Sequence, residues 1–138
     1  MAPVNLGTAV LPDTDADGFR AFSGAAILAG QCVYEGIDGK IQLASTASDL
    51  FGRRMGIAMN SAPTAGQEVY VQTGGTVLGC ATIVKGATYY ASDTPGSVCT
   101  AEGASPDLAT NDWVNSFGIA KTTTTLRLRP FAASVQHA

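Results

Sequence analysis

The stretches ILAGQCVYE (27–35) and IVKGATYYA (83–91) are two versions of one pattern, and no other feature of this chain constrains its fold as much. In each, aliphatic residues precede an X-Gly pair, and strand formers follow three positions after the glycine: Val33-Tyr34 in one copy, Tyr89-Tyr90 in the other. Each copy then runs into turn chemistry. Asp38-Gly39 is a strong hairpin signal, and Pro95-Gly96 suits the central positions of a type II turn. Further on, MGIAM (55–59) answers FGIAK (117–121), and a strand pattern follows each, EVYVQT (68–73) and TLRLRP (125–130). One unit of this size cannot bury its own apolar face. Two copies therefore predict a single all-β domain, a compact barrel or sandwich, with repeats over 25–75 and 81–130. The first 24 residues match neither repeat and read as an extended N-terminal arm; residues 131–138 read as a C-terminal tail.

Local patterning supports strands. Leu126 and Leu128 alternate with Arg127 and Arg129, the period of a half-buried strand. In EVYVQT, Val69 and Val71 point one way, and Glu68, Tyr70 and Gln72 the other. Helix signals are thin. STASDLF (45–51) and SPDLAT (105–110) suffice for a turn or two, the second with Ser105 as N-cap and Pro106 at N1. TGGTVLG (73–79) lacks the G-K-[ST] of a phosphate loop and reads as a glycine turn joining the repeats.

The arm contains DTDADG (13–18), the first half of a calcium loop. The twelfth loop position, which should supply a bidentate acid, falls on Gly24, so the run predicts a solvated acidic turn and no metal site. Such an arm is ordered chiefly by lying on something else. Phe19 and Phe22 are its large apolar residues and candidates for contact with a partner.

Composition narrows the function classes. The net charge is −3, with three lysines and five arginines and no basic stripe, which argues against nucleic acid. Charged residues make up only 14%, which suits a subunit whose faces are covered by neighbours. Cys32, Cys80 and Cys99 lack metal-like spacing and read as small buried hydrophobes. No secretory signal and no apolar run of membrane-spanning length is visible. His137, the only histidine, stands one residue from the end, a poor platform for a catalytic base. Glu35, Glu68 and Glu102 are candidate paired acids without a distinctive motif. The Arg53-Arg54 pair and the Arg127/Arg129 face are candidates for engaging a partner's acidic groups. Trp113 reads equally as a core or an interface anchor. No catalytic set and no cofactor site emerges, so the chain reads as a non-enzyme.

The run GATYYASDTPGSVCTA…WVNSFGIAKTTTTLRLRP resembles the capsid cement, or head decoration, proteins of tailed bacteriophages. AGQCVYEGIDGKIQLA…GIAMNSAPTAGQEVYVQTGG is similar to the first half of that family. The resemblance covers about residues 25 to 130 and does not extend to the DTDADG arm. It implies a structural virion protein, made in the bacterial host cytoplasm. Such a protein sits on the outer surface of the head as a homo-oligomer, often a trimer, and braces the major capsid protein lattice. Two alternatives stand beside it. One is a β-sandwich at a head fibre or tail that recognises a host surface glycan, for which Tyr34, Tyr70, Tyr89, Tyr90 and Trp113 supply aromatics. The weaker one is a carboxylate-pair hydrolase, which needs two acids converging in a cleft.

Overall fold

The computed structural model describes residues 4–47, 49–81, 83–100 and 113–136. Among these residues there is no helix. From the arm come β1 (Leu11–Pro12) and β2 (Asp17–Phe22). The first repeat supplies β3 (Cys32–Glu35), β4 (Ile41–Leu43), β5 (Met55–Ala58) and β6 (Glu68–Leu78). The second supplies β7 (Thr88–Ala91), β8 (Val98–Cys99), β9 (Trp113–Ala120) and β10 (Leu126–Gln136). All are antiparallel, in the order β4-β3-β5-β6-β10-β9-β7-β8, with β1 and β2 along the remaining edge of β6. The protein is all-β, a compact curled sheet of two related halves.

The duplication holds residue by residue in the register. Val33 lies opposite Gly56, as Tyr89 lies opposite Gly118. Ile57 and Ala58 face Gln72 and Val71, as Ile119 and Ala120 face Arg127 and Leu126. Even the entry loops repeat: Gly30 N donates to Ala58 O and Gly86 N to Ala120 O, both at 2.7 Å. The G-I-A motif has a steric cause. A Cβ at Gly56 would run into the carbonyl oxygen of Gln72, and one at Gly118 into that of Arg127. The turns follow their chemistry as well. Gly39 takes φ +80 in the β3–β4 hairpin, and Gly96 takes φ +85, with Ser97 N donating to Thr94 O across Pro95-Gly96.

The halves nevertheless bury opposite faces. In the first repeat, Val33, Ile41, Ala58 and Val71 join Ile27, Ala62 and Val69 in a small cluster, with Phe19 and Ala21 of the arm packed against it. Their counterparts Tyr89, Val98, Ala120 and Leu126 belong to the main core. The first repeat enters that main core through its other face, with Cys32, Met55 and Ile57. So the inward face of the second repeat packs on the back of the first. Among the described residues, the first repeat is covered on both sides, and β9 and β10 of the second are covered on one at Ile119, Arg127 and Arg129. The cause is visible in the residues. CV and MGIA offer apolar or small side chains in both directions, whereas LRLR offers them in one.

The arm is extended, as expected, and lies on its own domain. Leu6 and Val10 are core residues, and Val4 exchanges backbone hydrogen bonds with Val98. The run 73–79 differs from the expected glycine turn. Gly74 and Gly75 lie inside β6, where Gly75 at φ +82 bends the strand, and β6 continues to Leu78. The bend lets one strand serve two neighbours, pairing β5 before it and β10 after it. β10 likewise runs past the expected end of its repeat, to Gln136. The 45–51 segment gives turns, and 105–110 lies outside the described residues.

Candidate interaction surfaces

The uncovered face of the second repeat is the first candidate. β7, β9 and β10 place Thr88, Ser116, Gly118, Ile119, Arg127 and Arg129 around a cleft of about 270 Å³. Ile57 is fully buried, but its counterpart Ile119 is 49% exposed; Phe131, opposite Ser116 on β10, is 63% exposed. Arg127 and Arg129 both project from this face because they alternate with the buried Leu126 and Leu128. Neither makes an ion pair with a described residue. Thr76, directly across from Arg127 on β6, carries the acidic turn. Its backbone N and its hydroxyl both donate to the Asp15 carboxylate, at 2.9 and 3.1 Å. These two bonds hold Asp15 below the usual carboxylate range, the backbone N–H contributing most. Asp13 caps its own turn by accepting from Thr14 N at 2.7 Å. The acidic run thus fastens the arm to the bend in β6.

The second candidate is a cleft of about 570 Å³ at the β3–β4 hairpin, lined by Tyr34, Ile37, Asp38, Gln42, Asp49 and Arg53 among others. Ile37, one of its lining residues, stands exposed. Asp38 and Asp49 share this cleft, and each closes a turn: Asp38 accepts from Lys40 N and Asp49 from Phe51 N, both at 3.0 Å. Of the acids singled out in the sequence, the two described ones are each held by a different arginine. Glu35 holds Arg54 through bonds of 3.2 and 2.6 Å, Glu68 faces Arg20 at 3.6 Å, and Glu102 lies outside the described residues.

The six candidate contact residues therefore fall into separate places. Arg127 and Arg129 share the second-repeat face. Arg53 lines the hairpin cleft, whereas Arg54 is committed internally, forked on Glu35 and stacked 3.7 Å over the Phe19 ring. That stacking turns Phe19 onto its own domain; Phe22 remains 59% exposed. Of the aromatics, Tyr89 is buried with its hydroxyl accepting from Val84 N, and Tyr34, Tyr70, Tyr90 and Trp113 are half-buried. His137 lies outside the described residues. Sequence reasoning missed Tyr34, Gln42 and Asp49 as cleft neighbours, since only the β3–β5 pairing brings the hairpin to the 49–53 turn. The inert reading of two cysteines agrees with their setting: burial pushes the Cys32 thiol up to about 12 and Cys80 to about 11. Comparison with protein-family models, curated proteins and solved structures finds no match.

Proposed function

We propose that this chain is a decoration protein of tailed-phage heads, binding the outer surface of the capsid and bracing the major capsid protein lattice as a homo-oligomer. The observation that carries the reading is the duplicated β unit. Its matched segments are the ones that resemble the cement proteins, and they pack so that, among the described residues, the outer face of β9 and β10 around Ile119, Arg127 and Arg129 stays uncovered. A face bearing Ile119, Phe131 and two arginines, on a domain with so few charged residues, is suited to being covered in an assembly. Repetition over a capsid surface then multiplies modest contacts into firm retention. The reaction asked of such a protein is binding alone, and no bond-making step is assigned to any residue.

The test is co-sedimentation of the purified chain with heads lacking it. The expected result is saturable binding at a fixed ratio to the capsid protein. Recovery of all the protein in the supernatant at micromolar concentration sinks the reading. The glycan-binding alternative draws on the hairpin cleft, where an aromatic, an amide, two carboxylates and a guanidinium surround one hollow, a mixture that suits sugar hydroxyls. Binding of the chain to host cells stripped of other phage components separates it from the first reading.

A further inference from the structure

We infer that the uncovered face of the second repeat is the docking site for an extended acidic segment of a partner protein, with carboxylates at alternate positions. Three observations lead there. The first is the internal precedent. The matching face of the first repeat is occupied by a packed sheet layer, with Ile57 fully buried under it, so this side of the unit accepts a covering layer. In the second repeat the same positions hold Thr88, Ile119 and Arg127, and nothing among the described residues covers them.

The second observation is charge. Residues 113–131 contain Lys121, Arg127 and Arg129 and no acid, in a chain of net charge −3. Two unpaired guanidinium groups next to each other repel, and a layer that covers them without supplying carboxylates strands both charges away from water. The covering surface must therefore be acidic. Asp15, held by the Thr76 that lies across from Arg127, is already bonded to that threonine.

The third is spacing. Arg127 and Arg129 sit two residues apart on one strand, a separation of roughly 6–7 Å. A second extended chain carrying acids at positions i and i+2 repeats that distance, so each fork meets one carboxylate with two parallel hydrogen bonds. Ile119, Gly118 and Thr88 line the same cleft, whose volume of about 270 Å³ leaves room for a small apolar side chain between the two carboxylates. Because β10 is flanked by β9 and β6 at Arg127, recognition there runs through side chains on the face and not through a free strand edge.

This inference deepens the decoration reading by naming the chemistry of the partner, and it rests on that reading only for the partner's identity. Its test needs no heads. The full chain, labelled for heteronuclear NMR, is titrated with the capped peptide Val-Asp-Val-Asp-Val and with its Asn counterpart. The expected result is saturating shifts at Thr88, Ile119, Arg127 and Arg129, with a Kd of about 1 mM for so short a ligand. The Asn peptide gives none, and R127Q/R129Q loses the response at least tenfold while keeping its dispersed β spectrum. Shifts elsewhere, equal shifts with both peptides, or concentration-dependent shifts of this face without any peptide each overturn the inference; the last assigns the face to a second copy of the chain.

Discussion

Ile57→Ala and Ile119→Ala are the same substitution at matching positions of a duplicated unit, and the fold makes them unequal. Ile57 is fully buried between the repeats; Ile119 is half exposed on the uncovered face. Trimming a buried Ile to Ala removes three carbons, about 2.4 kcal/mol of transfer free energy at ~0.8 kcal/mol each. A residual cavity of ~60 Å³ adds about 1.4 kcal/mol, since each cubic ångström costs ~24 cal/mol. The expected loss at Ile57 is thus roughly 3–4 kcal/mol, within the range measured for such core truncations. At Ile119 half of the transfer term applies and no enclosed cavity forms, giving about 1 kcal/mol. For a chain of this length, 1 kcal/mol moves Tm by roughly 3–4 °C, so the expected shifts are about 9–16 °C and about 3–4 °C. Urea titration of both variants by circular dichroism reads the free energies directly, with the slope unchanged. Equal losses at the two sites refute the face-to-back packing of the repeats, because symmetric packing buries both isoleucines alike.

Other expectations follow from single contacts. Gly56→Ala and Gly118→Ala each drive a Cβ into a neighbouring strand's carbonyl, so both lower Tm, and by similar amounts if the registers match as described. Gln72 donates to the carbonyls of Gly74 and Thr76 at 3.0 Å each inside the bend of β6; Gln72→Leu leaves them unmet and costs about 1–3 kcal/mol by urea titration. Asp15 has a folded pKa below its unfolded one, so its contribution to holding the arm is full above about pH 4 and fades as pH falls through the folded value. The hydrogen-exchange protection factor of Thr76, corrected for the intrinsic pH dependence of amide exchange, should fall with that loss in the wild type and stay flat over the same range in Asp15→Asn. Deleting residues 1 to 22 removes Leu6 and Val10 from the core and uncovers one edge of β6, so the truncated chain should lose its cooperative unfolding transition; a sharp transition near the full-length Tm contradicts that role.

The repeat was legible because its glycines and turns are local demands: a close strand approach at Gly56 and Gly118, a left-handed residue at Gly39 and Gly96. Which face each repeat buries was not read, although the residues carry it. Cys32 and Val33 are apolar in succession, the mark of a strand covered twice, whereas Arg127 and Arg129 interrupt the leucines of a strand covered once. The arm's place was hidden for another reason. Its apolar residues are scattered and its acids resemble a metal loop; only the distant Thr76, brought next to it by the bend at Gly75, gives Asp15 its partner. Likewise Arg54 looks like Arg53 in the sequence, and only the Glu35 fork and the Phe19 ring, contributed by different strands, separate a tethered arginine from one lining a cleft.

The proposed function claims more than attachment; it claims bracing. The direct measurement is the temperature at which heads lacking this protein release their DNA, followed by a dye that fluoresces on DNA, with and without the purified chain. The account predicts a rise in release temperature that saturates at the stoichiometry of binding and shrinks with R127Q/R129Q. An unchanged release temperature at saturating occupancy contradicts it.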